Sequence, residues 1–457
     1  MKLSLDGVLA RRIAVLSAPV VFAMLTQAVI NVIDHILVGR LPAEESIPGQ
    51  AAVGLSLTLL WAVGGSLSAI GVGTQALTAR RAGAGDVEGA GQVLTNSAAI
   101  ALVLGLLASV VFVLLAPYLL PLLIKDPAAI RLGVPFLQYR YAAVASMVVV
   151  ASYKAFFDGL GHTYVHFAVA VLMNLLNLVL NIALIFGHWG FPRMGVPGSG
   201  LASCISSYFG MLLIIGWALR KEVRRFHLYK VRKFSWSVSR EIVRLSAPSS
   251  AAVVFSLIGF MVFYVVVATM DKNAGHLTPY YVSATSNIIS VFMLVFISCI
   301  AYGTATATLV GQNMAAHQYD TAERYAYESA KLGALVYSVF GLLVALFPGQ
   351  VLSVWCKDAE VIAVAMPILR VLALFAPLMC VALVFTYGLY GAGNSLFVMK
   401  VEGTLHFLCL IPLSYILALP LGLGLWGAWS AMIAYVVLMA AIMAWKFSDG
   451  DWKHIKI

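Results

Sequence analysis

The sequence predicts an all-α membrane protein: twelve transmembrane helices in two six-helix lobes, related by a pseudo-two-fold axis along the membrane normal. Three observations lead there. Of the 457 residues, 62% are hydrophobic and only 11% are charged, whereas a soluble domain carries about 25% charge. Apolar runs long enough to cross a bilayer recur along the whole chain. The second half of the chain also repeats the first. One soluble core cannot absorb so much apolar surface. A soluble enzyme, a nucleic-acid-binding domain and a disordered scaffold are therefore set aside.

Each crossing needs about 20 mostly apolar residues. Between charge clusters and turns the chain offers twelve such runs: 13–39, 51–79, 94–121, 133–157, 165–188, 198–219, 243–270, 279–310, 325–348, 361–390, 397–420 and 424–446. Lys2, Arg11 and Arg12 look like the start of a secretory signal. The apolar run from Ile13 to Val38 is longer than the roughly 7–15 residues of a signal core, so it reads as the first span.

Lysine and arginine fix the orientation. The segment 220–244 alone holds Arg220, Lys221, Arg224, Arg225, Lys230, Arg232, Lys233, Arg240 and Arg244. Lys2, Arg11, Arg12, Arg80, Arg81, Arg324, Lys446, Lys453 and Lys456 share that side by parity. The opposite loops hold Arg40, Lys125, Arg131, Arg193, Lys272 and Lys357. The excess places both termini in the cytoplasm. It also accounts for most of the +10 net charge without nucleic acid. The five cysteines form no metal-ligand spacing and no disulfide framework.

Arg11–Pro19 reads RRIAVLSAP and Arg240–Pro248 reads REIVRLSAP, an offset of 229 with six of nine positions identical. Gly73-Thr74 returns as Gly303-Thr304, and the loop residues Gly85-Asp86 are echoed by Tyr319-Asp320. Gly159-Leu160-Gly161-His162-Thr163 returns as Gly391-Ala392-Gly393-Asn394-Ser395, and Gly200-Leu201-Ala202-Ser203 as Gly427-Ala428-Trp429-Ser430. Six spans per copy is an even number, so both copies start inside and share one topology. The expected division is a lobe over 1–219, a basic cytoplasmic linker over 220–242 and a lobe over 243–457. Two such lobes suit alternating access to a central cleft.

A charge at lipid depth costs about 2.5–3.5 kcal/mol on insertion scales, so it marks function by default. Asp34 is the one acid deep in the first five spans, about 22 Å along the helix from Pro19. Arg40 is six residues away on another face, a poor partner within one helix. Asn174, Asn177 and Asn181 share a stripe of the fifth span. A row of amides suits an interhelical hydrogen-bond seam. With Asp34 and Ser203 it equally suits a site of one carboxylate and neutral oxygens. Such a set fits Na⁺, with Asp34, Asn177 and Asn181 as candidate ligands, and the carboxylate alone carries H⁺. Pro19 removes a backbone bond inside the first span and is a candidate hinge, as is Pro248 in the seventh.

Arg140, Lys154, Asp158, Arg370, Lys400, Glu402 and His406 read as groups near span ends that reach the interface. Tyr139, Asn174, Phe255, Met261 and Arg370 are the candidate substrate-cleft residues. The repeat aligns Asp34 with Phe263, so the second copy has no matching acid. No HExxH, GxSxG or nucleotide-binding glycine loop appears, which argues against an enzyme and an ATP-driven pump.

Pro19 followed by Asp34 and VGR, the small-residue loop after Gly73-Thr74, GLGHT at 159–163, NxxxN at 177–181 before LIFG, and GSGLASCIS at 198–206 together resemble the MATE family of multidrug and toxin extrusion transporters. The resemblance covers essentially the whole chain and extends to a wider superfamily that includes lipid-linked oligosaccharide flippases. It implies a branch with the ion site in the N-terminal lobe: Asp34 in span one, Asn177 and Asn181 in span five, Ser203 in span six, and a first helix that bends at Pro19. Asn181 stands where that branch often has Asp, so one proton-carrying group is missing. Acids that another branch carries in spans seven and ten are absent here. The implied protein is an inner-membrane antiporter that works as a monomer. It exports amphipathic, cationic or aromatic compounds against inward H⁺ or Na⁺, and needs no cofactor beyond that ion. The remaining alternatives are a flippase, a membrane-embedded transferase and a channel.

Overall fold

The computed structural model describes residues 5–220, 223, 226, 234–274 and 280–455, and its regular structure is helical throughout. Among the described residues eleven helices are long and apolar enough to cross a membrane. In the first half they are Gly7–Gly39, Ala43–Gly83, Val87–Leu123, Pro127–Gly159, Thr163–Phe186 and Val196–Ala218. In the second half they are Trp236–Asn273, Tyr280–Ala315, Tyr319–Leu346, Ser395–Ala418 and Gly424–Asp449. The remaining crossing is a pair, Ala359–Leu374 and Ala376–Gly391, bent by 51°. With that pair taken as span ten, the twelve expected spans are present.

Several boundaries follow local chemistry. Asp86 caps the third span, its Oδ1 accepting from Gly89 N at 2.8 Å. Asp126 and Asp358 cap the fourth and tenth in the same way, each satisfying N–H groups that a helix start leaves open. The second span begins at Ala43 rather than near 51, because Glu44 and Glu45 occupy its first turn, where the helix dipole favours acids. In the third span Val103, Leu107, Val110 and Leu114 are each 60–66% exposed along one stripe, a face suited to lipid tails.

The repeat is visible in its turns. Gly161 and Gly393 adopt φ of 81° and 83°. In the first turn Gly161 N donates to Asp158 O and His162 N to Phe157 O. In the second, Gly393 N donates to Tyr390 O and Asn394 N to Leu389 O. Only glycine takes that left-handed conformation without cost.

By packing, the chain divides into two units, Pro19–Ser250 and Met1–Ala18 with Ala251–Ile457. The first has a core around Leu37, Val38, Val53, Phe136, Ile185 and Val196. The second is built on larger clusters, one holding Phe385, Leu389, Met443 and Phe447, another Phe263, Ile288, Leu369 and Trp429. This packing division falls inside two helices. In the first span the change comes at Pro19, and in the seventh two residues beyond Pro248. Residues 221, 222, 224, 225 and 227–233 of the expected 220–242 linker lie outside the described residues, and Trp236 onward already belongs to the seventh span.

Candidate functional site

Asp34 stands five residues before the end of the first span and is half-buried. Its Oδ1 accepts a hydrogen bond from Asn181 Nδ2 at 2.6 Å. An ionised carboxylate only accepts, so Asn181 must turn its NH₂ toward it. The same nitrogen donates to Asn177 Oδ1 at 2.9 Å. Asn177 Nδ2 in turn reaches Ser203 Oγ at 3.3 Å and Ser206 Oγ at 3.2 Å. Spacings of three and four put the amides on one face of the fifth span. That face is dry: Asn177 is 5% exposed and Asn181 fully buried. The four expected ion-site residues therefore form one connected network across spans one, five and six.

Two features of this network are not in the motif. Asn181 Oδ1 is buried and has no donor. An unmatched buried acceptor costs about 1–3 kcal/mol, which a donor or a cation placed beside it would offset. Arg140 supplies the second feature. Its charge acts on Asp34 and on Cys204, and its buried Nε has no hydrogen-bond partner. The expectation that Arg140 sits at a span end is corrected here. It lies inside Pro127–Gly159, beside the short break at Ala143 that splits this crossing into two helices.

The other expected residues are placed as follows. Asn174 Nδ2 donates to Thr26 Oγ1 of the first span at 3.2 Å. Pro19 lies within a helix that runs unbroken from Gly7 to Gly39. Tyr139 is half-buried next to Arg140. Phe255 packs edge-to-face on Phe407, Met261 is 60% exposed, and the exposed Arg370 donates from Nε to Ala345 O at 3.1 Å. Phe263, the repeat counterpart of Asp34, is buried against Trp429 with ring centroids 5.4 Å apart. Where one copy holds a carboxylate, the other holds an aromatic pair. Ser206 and Thr26 were missed from sequence, although Ser206 lies on the face of Ser203, one turn on.

Glu402 and His406 are a further correction. They are not interfacial: His406 is 1% exposed, and Glu402 Oε2 accepts from Tyr435 Oη at 2.8 Å. The signal for them was an acid and a histidine four residues apart in an apolar helix.

The MatE family model matches residues 19–183 and, a second time, residues 248–416. The chain belongs to the MatE family. The two MatE segments begin at Pro19 and Pro248, the prolines that the repeat superimposes. The multidrug resistance protein PmpM of Pseudomonas aeruginosa is 28% identical over 375 residues, 80% of this chain and 75% of that protein. The multidrug resistance protein NorM of Burkholderia vietnamiensis is 24% identical over 437 residues, 94% and 92% of the two chains. A solved outward-facing multidrug resistance MATE transporter of the MOP superfamily superposes with a TM-score of 0.89 at 22% identity, over 98% of this chain and 97% of that one. That structure carries the fold to this MatE chain: twelve helices in two lobes, as expected.

Proposed function

We propose that this MatE protein is a secondary antiporter that exports amphipathic, cationic or aromatic organic compounds, driven by H⁺ or Na⁺ entering at Asp34. The observation that carries the reading is the pairing of Asp34 with a buried Asn181 whose carbonyl oxygen is unmatched. A proton on Asp34 turns the carboxylate into a donor, and Na⁺ brings a charge that amide and hydroxyl oxygens can ligate. Either one resets the hydrogen bonds to Asn181, Asn177 and Ser203. Span one carries Asp34 in its last turns and Pro19 in its first half, so the reset acts on a helix with a weakened point. The ion then shifts a two-state equilibrium by its unequal affinity for the two states. The named relatives, PmpM and NorM, support export of drug-like compounds. The lysine and arginine bias supports an inner-membrane protein with cytoplasmic termini.

Among the described residues no three His, Cys, Asp or Glu side chains come together as a metal cage. The donors at Asp34 are hard oxygens, which suit Na⁺ or H⁺ rather than a transition metal. A flippase for pyrophosphate-linked lipids would need several free cations, and the charge of Arg140 already acts on Asp34. The deciding experiment is substrate efflux from proteoliposomes with pH and Na⁺ gradients imposed separately. Asp34→Asn should abolish gradient-driven export while reaching the bilayer in normal amount. Full export by that variant sinks the reading.

A further inference from the structure

The second packing unit carries a titratable pair that the repeat does not predict. Glu402 and His406 stand one turn apart in the eleventh span, Ser395–Ala418. At helical rise they lie roughly 10 and 16 Å from its start, which puts His406 near the middle of the bilayer. Tyr435 of the twelfth span donates to Glu402 Oε2 at 2.8 Å, and Ser256 of the seventh also reaches this carboxylate. His406 Nδ1 is 2.8 Å from the backbone oxygen of Glu402 and 3.5 Å from its Oε2. A carbonyl only accepts, so Nδ1 carries the hydrogen of the neutral ring. Nε2 is then a bare acceptor, and it is buried without a partner.

The backbone makes room for this ring from two sides. The eleventh span widens into a π-turn over Leu405–Leu410, a feature concentrated at functional sites. Opposite it, the seventh span has Gly259, where a Cβ would collide with the imidazole. Mere filling of an apolar gap needs neither device, since leucine would do it. Among the described residues, Phe260 lies by the imidazole, Tyr387 by Glu402, and Tyr390 and Cys409 by Tyr435, whose ring is 4.7 Å from that of His406. Of all these groups only the imidazole can become positive.

We propose that Glu402 and His406 form a proton-binding site in the C-terminal half, distinct from Asp34. The proton adds at Nε2. A new N–H bond forms there, an O–H bond of the hydronium that delivers it breaks, and water leaves. The Nδ1–H bond to the carbonyl stays in place, and Glu402 balances the charge of the imidazolium. The site stands whether or not Asp34 couples transport.

The test is nitrogen NMR of full-length protein labelled with ¹⁵N-histidine in lipid nanodiscs, titrated from pH 8 to pH 5. Of the nine histidines, His406 is assigned by the signal missing in His406→Gln, or in His406→Asn if the first variant misfolds. The expected result is an Nδ1–H ring at high pH that becomes doubly protonated on acidification. Glu402→Gln should require about tenfold more protons for the same change, the effect of losing one nearby opposite charge. Asp34→Asn should leave the titration where it is. An Nε2 that stays bare to pH 5, an unchanged titration in Glu402→Gln, or its loss in Asp34→Asn would each overturn the proposal.

Discussion

Asn181 Nδ2 stands 2.6 Å from Asp34 Oδ1, while the oxygen of the same amide is buried with no donor. The pair is thus satisfied on one side only. Ionised Asp34 needs the NH₂ group. Protonated Asp34 could offer a hydrogen to that carbonyl instead, while the same Nδ2 also serves Asn177 Oδ1 at 2.9 Å.

Asn181→Leu keeps the branched shape, somewhat enlarged, and removes the donor. Asp34 and Asn177 Oδ1 both lose their partner, and for the buried Asn177 oxygen an unmatched group costs about 1–3 kcal/mol. Thermal unfolding of the purified protein should report the loss, and coupled efflux should fall with it. Asn181→Asp has a different outcome. It adds a second proton-carrying group beside Asp34, so the counted H⁺ per substrate in proteoliposomes should rise. An unchanged count would show that Asn181 takes no part in proton traffic.

Pro19 marks the point in the first span where the packing unit changes, and Pro248 lies two residues from the corresponding change in the seventh. Each proline leaves one carbonyl of its helix without an N–H. Pro19→Ala restores that bond. The expected outcome is a thermal midpoint equal to or above wild type together with a several-fold lower efflux rate. Faster or equal transport would mean that Pro19 is not a hinge.

The fold was legible because hydropathy and positive charge are dictated by the bilayer itself, residue by residue. The Asp34 network was legible for a similar reason: a carboxylate and an amide stripe cannot be placed in lipid without purpose. Arg140 and Glu402–His406 were misread because long or amphipathic side chains can leave a span end for the interface, and sequence does not say which way they turn. The fourth crossing breaks at Ala143, and the eleventh widens at Leu405–Leu410. Both irregularities redirect side chains, and neither has a hydropathy signature. The change of packing unit inside spans one and seven is equally silent, since a helix reads as continuous apolar sequence on both sides of its proline.

Gly161 and Gly393 give a test of the repeat at the level of the backbone. Both hold φ above 80° in matching turns. Alanine there forces an L side chain into the left-handed region, at roughly 1–2 kcal/mol. Gly161→Ala and Gly393→Ala should each lower the thermal midpoint. The double variant should show close to the sum, because the two turns lie in separate units. Gly54→Ala, in a helix with nothing within 4 Å of the new methyl, is the control and should be neutral or stabilising.

Arg140 is the clearest lever on the ion itself. Its charge acts on Asp34 across the interior of the first packing unit. A fixed positive charge opposes the arrival of any cation at the carboxylate, whether H⁺ or Na⁺. On the proposed mechanism it would favour ion release as well as limit ion binding, and a carrier needs both. Arg140→Gln removes the charge and keeps most of the side chain's length. The half-activating ion concentration for efflux should fall several-fold, while the maximal rate should also fall because the ion leaves more slowly. Arg140→Lys keeps the charge and should stay near the wild-type ion dependence, even where the loss of the planar guanidinium lowers stability. Efflux measured across a series of imposed H⁺ and Na⁺ concentrations separates the two effects. If wild type and Arg140→Gln give superimposable curves, Arg140 is structural, and Asp34 works without an internal counter-charge.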